Sequence, residues 1–183
     1  MMTESFAWFP GLEQRGSATA LVDREQSISY DALYQSVSRV IAGLLNAAES
    51  LDEERVAFLY PASFDYAALI IGVVAAGGIA VPLSVHASAD ELSHCLSVAG
   101  VKRLLLPDAL RTPALDAVCY QLGVAQMSVE ALPEADRPSA LPLKAEQGAL
   151  IVFTSGTTGK PKAVVHTVES VSAMITSLIE AWG

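Results

Sequence analysis

Short apolar runs alternate with longer amphipathic segments along most of this sequence, and that alternation constrains the fold more than any other feature. Residues 30–45 carry apolar side chains at offsets of three and four, which predicts a helix, and Ser29 has the side chain of a helix N-cap. Strands and helices that alternate at this spacing form βαβ units with right-handed crossovers. We therefore predict an α/β fold, with a mostly parallel layered sheet flanked by helices and a small N-terminal hairpin at residues 18–30. The further expected strands cover residues 55–60, 79–83, 102–106, 124–129 and 150–153, and the further expected helices cover residues 63–76, 89–99, 113–122 and 168–182.

One apolar stretch, residues 67–83, raises the question of a membrane span. It is shorter than the about 20 residues that cross a bilayer, and Gly77, Gly78 and Pro82 interrupt it. A buried helix followed by a buried strand explains the stretch better, so we expect no membrane span. The N-terminus has an acidic residue and no basic residue before its short apolar patch, so it does not have the pattern of a secretory signal.

The charge balance limits the classes of partner, and the cysteines indicate the redox environment. The chain is 52% hydrophobic, which is enough for a sizeable core, and 17% of its residues are charged. Its 20 acidic and 11 basic residues give a net charge of −9, which argues against nucleic acid or anionic membrane as a partner. Cys95 and Cys119 lie in apolar helical patterns without the spacing of metal ligands. A disulfide between them stays open, but reduced core thiols in a cytoplasmic protein are the preferred interpretation.

The stretch from residue 150 to residue 165 has the order of properties that a phosphate-binding loop needs. A strand of the buried type leads into hydroxyl residues and glycines, which are followed by two lysines and then by apolar residues. Hydroxyl groups donate hydrogen bonds to phosphoryl oxygens, glycines let backbone N–H groups approach closely, and lysines supply counter-charge. The candidate anion-binding residues are Thr154, Ser155, Gly156, Thr157, Thr158, Gly159, Lys160 and Lys162.

Three commoner motifs do not fit this loop. A Walker loop needs a glycine where Thr154 stands, and it needs serine or threonine where Pro161 stands. The dinucleotide fingerprint would need a further glycine two residues before Gly156. A nucleophile elbow needs glycines at the positions of Phe153 and Thr157. A surface turn rich in glycine and threonine is the remaining alternative, but turn chemistry alone does not explain so many hydroxyls beside paired lysines.

The segment Phe153-Thr-Ser-Gly-Thr-Thr-Gly-Lys-Pro-Lys162 resembles the signature loop of the adenylate-forming superfamily, which includes acyl-CoA synthetases, adenylation domains of nonribosomal peptide synthetases and luciferases. Residues 76–83, followed by residues 89–92, resemble the second conserved block of that family, and residues 29–33 resemble an early Ser-Tyr-x-x-Leu element. Ala163 departs from the pattern, because the family usually carries glycine there. The resemblance covers essentially the whole chain and implies the fold of the N-terminal subdomain of an adenylate-forming enzyme.

The resemblance also implies a reaction. In the family, a carboxylate attacks the α-phosphate of ATP to give an acyl-adenylate and pyrophosphate, and a thiol, often that of coenzyme A, then takes the acyl group. Residues 154–158 would cradle the β- and γ-phosphates and Lys162 would supply charge, while Lys160 stands at a position where the family varies. The implied cofactors are ATP and Mg²⁺, with the Mg²⁺ ligands outside this chain, and CoA as co-substrate. We assign no catalytic residue and no metal ligand within residues 1–183.

The family segments that hold adenine, magnesium and ribose, and the C-terminal domain with its catalytic lysine, have no counterpart in residues 1–183. We therefore expect an N-terminal portion of an AMP-binding domain, with an internal boundary near residues 132–146, that does not form acyl-adenylate alone. Two alternatives stay open. One is a stand-alone module that binds nucleotide or polyphosphate. The other is a subunit that docks on a separate C-terminal chain or a second copy, with helix 63–76 and the terminal helix partly exposed.

The three histidines are too scattered along the sequence to imply a metal site. His86 follows a predicted strand, and we interpret it as a surface or core residue. His94 is expected to be structural, whereas His166 is a candidate contact of the nucleotide or the substrate because it lies close to the loop in sequence. Asp90 and Glu91 are adjacent on a predicted helix and point in different directions, so they do not predict a carboxylate pair.

Overall fold

The computed structural model describes residues 15–23, 26–134, 143–154 and 160–182. The strands in these ranges are β1 (Thr19–Asp23), β2 (Gln26–Ser29), β3 (Arg55–Leu59), β4 (Ile79–Leu83), β5 (Arg103–Leu106), β6 (Ala125–Ser128), β7 (Gly148–Thr154) and β8 (Lys162–Thr167). The α-helices are α1 (Tyr30–Leu45), α2 (Phe64–Ala75), α3 (Ala89–Ala99), α4 (Pro113–Leu122) and α5 (Val168–Trp182).

Six of the strands form one sheet in the order β6-β5-β3-β4-β7-β8, while β1 and β2 form a separate antiparallel hairpin. The pairs β3/β4, β3/β5, β4/β7 and β5/β6 are parallel, and only the edge strand β8 runs antiparallel to its neighbour within this sheet. The predicted α/β fold with a mostly parallel sheet and a small N-terminal hairpin is therefore confirmed.

The sheet is covered by helices on both faces. Successive side chains of a strand point to opposite faces, so Val56 and Phe58 join one buried cluster, whereas Ala57 and Leu59 join the other. The first cluster contains the buried residues of α1 and α2 and the beginning of α5, and the second contains those of α3 and α4. Burial on both faces explains why the strands are apolar runs without alternation.

The helices begin and end at residues whose chemistry is visible in the sequence. The Ser29 hydroxyl accepts a hydrogen bond from the backbone N–H of Ala32 at 3.2 Å, which confirms the predicted N-cap of α1. Helices α3 and α4 both end at glycines, Gly100 and Gly123, whose φ angles of 63° and 65° lie in the left-handed region. Residues with a side chain rarely adopt that conformation, so these glycines define the ends of both helices.

Helix α2 is buried, as its apolar composition predicts. Ala68, Leu69 and Val73 are at most 1% exposed. The predicted boundary near residues 132–146 stays a prediction, because residues 135–142 lie outside the described part of the chain.

Strand β8 is not predicted by the sequence pattern, and it changes how the chain leaves the candidate loop. Pro161 correctly indicates that no helix follows Gly159 directly. The structure shows that residues from Lys162 to Thr167 instead form a strand that pairs antiparallel with β7.

Candidate functional site

The candidate loop connects β7 and β8 at the edge of the sheet where the parallel strands β3, β4 and β7 end. Thr154 is the last residue of β7, and its partner in the antiparallel register is Lys162, the first residue of β8. Both residues are exposed. The two ends of the loop therefore stand side by side at the edge where ligands of open α/β sheets bind.

The positive charge of the loop lies in a chain that is otherwise acidic. Lys160 and Lys162 are exposed, and neither forms an ion pair with any residue in the described ranges. The net charge of the chain is −9, so these two exposed lysines are a local exception to its acidic character. The remaining candidate residues lie outside the described part of the chain, so their role stays a prediction: Ser155, Gly156, Thr157, Thr158 and Gly159.

Packing fixes the stem of the loop. Phe153 and Ala163 are register partners across β7 and β8, and both pack against the buried cluster that α3 and α4 form with the sheet. Ala163 stands where the adenylate-forming family usually carries glycine. Its methyl group is accommodated in this packing, and the register of the two strands continues through it.

His94 contacts the end of the loop from helix α3. Its Nε2 atom lies 2.9 Å from the carbonyl oxygen of Pro161, and the pair is partly buried. This hydrogen bond joins residues 67 positions apart in the sequence. The structural role of His94 stays a prediction, and the structure adds that the partner of its ring is a residue at the end of the loop.

A cavity of about 750 Å³ opens beside the stem. Its size lies in the range of about 300–1,000 Å³ that small-molecule sites occupy. The wall is formed by the carboxyl ends of β3, β4 and β7 and by the beginning of α3, and it includes Tyr60, Tyr66, Leu83, His86, Cys95 and Phe153.

Tyr60 and Cys95, two ionisable residues of the cavity wall, both have raised pKa values. Burial, and then the Asp65 carboxylate, raise the pKa of Tyr60 to about 12. The Tyr60 hydroxyl donates a hydrogen bond to Asp65 Oδ2 at 3.1 Å. Burial, and then the charge of Glu91, raise the pKa of the Cys95 thiol. Neither group is ionised at neutral pH, so neither serves there as a general base or as a nucleophile.

The remaining candidates are placed as follows. His86 is exposed, in agreement with its interpretation as a surface residue, and it lines the cavity. His166 pairs with Leu150, four residues below Thr154, which is about 13 Å along a strand at about 3.3 Å per residue. It is therefore not brought to the loop.

Glu91 accepts a hydrogen bond from the Ser88 backbone at 2.8 Å and completes a capping box, so it forms no carboxylate pair with Asp90. Within the described ranges, no group of three His, Cys, Asp or Glu residues could hold a metal ion.

Sequence reasoning missed the cavity and the strand β8. The signal for the cavity was present, because ligand sites in such sheets lie beyond the carboxyl ends of the strands, and Tyr60 and Ser84 directly follow β3 and β4. No comparable signal marks β8. Its exposed residues include the neighbours Val164 and Val165, which break the alternation expected of a half-buried strand.

The fold is that of an α/β subdomain with a mostly parallel sheet, and comparisons with known proteins identify its family. A family model described as AMP-binding enzyme matches residues 9–183. The chain belongs to the AMP-binding enzyme family, and the resemblance drawn from the loop is confirmed.

The most similar relatives include CoA ligases. Malonate–CoA ligase ACSF3, mitochondrial, of Xenopus laevis is 33% identical over 178 residues, which are 90% of this chain and 31% of the relative. Long-chain-fatty-acid–CoA ligase FadD13 of Mycobacterium tuberculosis is 32% identical over 146 residues, which are 74% of this chain and 29% of the relative. The chain thus spans about a third of the length of the curated relatives that it matches.

Solved structures show the same fold. ATP-bound MatB from Rhodopseudomonas palustris superposes with a TM-score of 0.80 and 23% identity over 100% of this chain and 38% of that one. The N-terminal subdomain of NpsA from Klebsiella oxytoca superposes with a TM-score of 0.71 and 22% identity over 87% of this chain and 42% of that one. The predicted fold of an N-terminal subdomain of an adenylate-forming enzyme is confirmed. No helix in the described ranges combines the length and the apolar character that a membrane crossing requires.

Proposed function

We propose that this chain contributes the ATP phosphate-binding loop of a carboxylate-activating ligase, in which an acyl-adenylate forms and the acyl group then passes to a thiol, most often that of CoA. The observation that carries the proposal is the position of Thr154 and Lys162, which stand as register partners at the carboxyl edge of the parallel sheet. Membership of the AMP-binding enzyme family and similarity to proteins named CoA ligases support it.

The proposed role of the loop is electrostatic. A carboxylate oxygen attacks the α-phosphorus of ATP, the bond from that phosphorus to the bridging oxygen breaks, and pyrophosphate leaves with the electron pair. The leaving group gains negative charge as this bond breaks. Lys162, with the hydroxyls and backbone N–H groups of residues 154–158, would bind the β- and γ-phosphates and stabilise that charge. Lys160 adds charge beside them.

The Mg²⁺ ion that accompanies ATP prefers carboxylate and water oxygens. At this edge the Glu91 carboxylate is engaged by the Ser88 backbone and hydroxyl, so we assign no Mg²⁺ ligand among the described residues and expect the ligands outside residues 1–183. The carboxylic acid stays unassigned. A cytoplasmic location remains a proposal that rests on the two free, buried cysteines, and fractionation of cells that express the protein tests it.

Titration calorimetry with ATP tests the role of the loop. Lys162→Ala removes one charge-assisted hydrogen-bond donor, which is worth about 1.5–3 kcal/mol, so we expect the affinity for ATP to fall at least about tenfold. Lys102→Ala is the matched control, because Lys102 is also exposed but precedes β5 at the opposite edge of the sheet. Equal losses in both variants, or no heat from ATP and pyrophosphate with the unmodified chain, would contradict the proposal.

We also propose that the 183-residue chain does not form acyl-adenylate by itself, because the relatives that are named as CoA ligases are about three times as long. Carboxylate-dependent exchange of pyrophosphate into ATP is the assay. Any exchange above background with the purified chain would show that residues 1–183 are sufficient.

One observation favours the alternative of a subunit that docks on a further polypeptide. Helix α5 exposes large apolar side chains, namely Met174, Ile175, Leu178, Ile179 and Trp182. Half of helix α2, which this alternative also expects to be partly exposed, is buried, and Phe64, Ile70 and Ile71 are half-buried. The alternative therefore rests mainly on α5, and a chain that binds no hydrophobic dye and stays monomeric at high concentration would argue against it.

A further inference from the structure

The hydrogen bond between His94 and Pro161 has a defined direction. A backbone carbonyl oxygen only accepts hydrogen bonds, so the Nε2 atom of His94, 2.9 Å away, must carry the hydrogen. The neutral tautomer with hydrogen on Nε2 and the imidazolium both satisfy this requirement. The contact therefore persists whichever of these two forms the ring adopts.

The helix that carries His94 is firmly anchored. A capping box between Ser88 and Glu91 begins α3, and Gly100 ends it. On its inner side, Leu92 and Leu96 are 6% and 1% exposed and belong to the buried cluster on that face of the sheet. His94 thus extends from a rigid element toward the end of the candidate loop.

The partner of His94 belongs to the same peptide unit as Lys162. The atoms of a peptide bond lie in one plane, so a fixed Pro161 carbonyl also fixes the orientation of the Lys162 backbone N–H and Cα. Lys162 in turn is the register partner of Thr154 across the stem. The hydrogen bond from α3 therefore adds to the strand pairing in fixing how the chain leaves the loop and where the Lys162 side chain begins.

We propose that His94 is a positioning residue for the phosphate site: through the Pro161 carbonyl it holds Lys162 where it meets the ATP phosphates. The inference deepens the proposed function and rests on it. His94 does not contact the nucleotide in this arrangement. It lowers the reorganisation that phosphate binding requires, because the peptide unit that carries Lys162 is already fixed.

Two substitutions separate the hydrogen bond from the volume of the ring. His94→Leu fills the site without a donor, and His94→Gln keeps a donor, its amide nitrogen, at nearly the reach of Nε2. Titration calorimetry with pyrophosphate on the whole chain measures the affinity, and urea unfolding of each variant measures its stability. We expect His94→Leu to bind pyrophosphate about fivefold more weakly, which corresponds to about 1 kcal/mol, and His94→Gln to bind within about twofold of the unmodified chain.

A double substitution tests the route through Lys162. If His94 acts by placing Lys162, His94→Leu should cost less than about twofold in the Lys162→Ala background, because the group that it positions is already gone. If the role of His94 is purely structural, its substitution should lower stability and leave pyrophosphate affinity unchanged in every folded His94 variant.

The possible results distinguish a failure of the proposed function from a failure of the role proposed for His94. If the unmodified chain binds no pyrophosphate, the proposed function and this inference both fail. If Lys162→Ala weakens binding and His94→Leu does not, the proposed function stands and His94 is not a positioning residue. The inference also fails if His94→Gln binds as weakly as His94→Leu, or if the losses from His94→Leu and Lys162→Ala simply add.

Discussion

Helices α1 and α2 lie close together at Gly72. A Cβ atom built on Gly72 would lie 2.6 Å from both Cβ and Cγ1 of Val40 and 3.4 Å from the carbonyl oxygen of Val37. Val40 and Val37 are 3% and 0% exposed, so neither has free space into which to move. We predict that Gly72→Ala destabilises the fold, although alanine is the better helix former.

Two opposing contributions set the size of the effect. Ordinary carbon–carbon contacts lie at about 3.5–4.0 Å, so the two helices would have to separate by about 1 Å. Overpacking of a buried contact costs about 1–3 kcal/mol. Because two atoms of the branched Val40 side chain are overlapped, we take the upper end of that range. The higher helix propensity of alanine relative to glycine stabilises the helix by about 1 kcal/mol. The expected net loss in the free energy of unfolding is about 2 kcal/mol.

Urea unfolding followed by circular dichroism measures this loss. With a denaturant slope of about 2 kcal/mol/M, the midpoint should fall by about 1 M. Ala67→Gly is the matched control for the propensity contribution, because Ala67 lies on the same helix and belongs to neither buried cluster. It should cost about 1 kcal/mol. A midpoint for Gly72→Ala at or above that of the unmodified chain would show that α1 and α2 do not pack through Gly72.

Two further predictions concern the cavity and the cysteines. The pKa of Tyr60 is raised to about 12, so the folded protein favours the neutral phenol. This preference contributes fully to the free energy of unfolding below about pH 10, the ordinary pKa of tyrosine, and the contribution is lost as the pH rises from about 10 to 12. Asp65→Asn should lower that pKa in an ultraviolet titration but leave it above the ordinary value, because burial is the larger cause; no change on substitution would refute the role of Asp65. Cys95 and Cys119 are 7% and 2% exposed with raised thiol pKa values, so both should react with a disulfide reagent at pH 8 much more slowly in the folded chain than in urea. Equal rates in the two states would contradict the buried thiols.

Much of the fold is predictable because its elements end at residues with distinct local chemistry. Helices α3 and α4 have the predicted bounds, and the reason is visible in Gly100 and Gly123, which adopt the left-handed conformation, and in Ser88 and Thr112, which accept capping hydrogen bonds. The apolar runs predict parallel strands because both of their faces are buried. These are local signals, and a sequence displays them directly.

The features that could not be predicted depend on contacts between distant residues. His94 and Pro161 are 67 positions apart, and nothing in the pattern around either residue marks the other. Strand β8 exists because its residues pair with β7 across the loop, and that pairing has no two-residue turn signature. The loop itself was recognised from residue types, and only the structure shows that Thr154 and Lys162 stand as partners at its base.

We propose that this chain recognises the β- and γ-phosphates of ATP through the loop between β7 and β8. Affinities for ATP, pyrophosphate and AMP, measured by calorimetry on the same preparation, test it most directly. We expect ATP and pyrophosphate to bind with similar affinity and AMP to bind at least about tenfold more weakly, because AMP lacks the phosphates that the loop would hold. AMP that binds as tightly as ATP, together with pyrophosphate that does not bind, would contradict it.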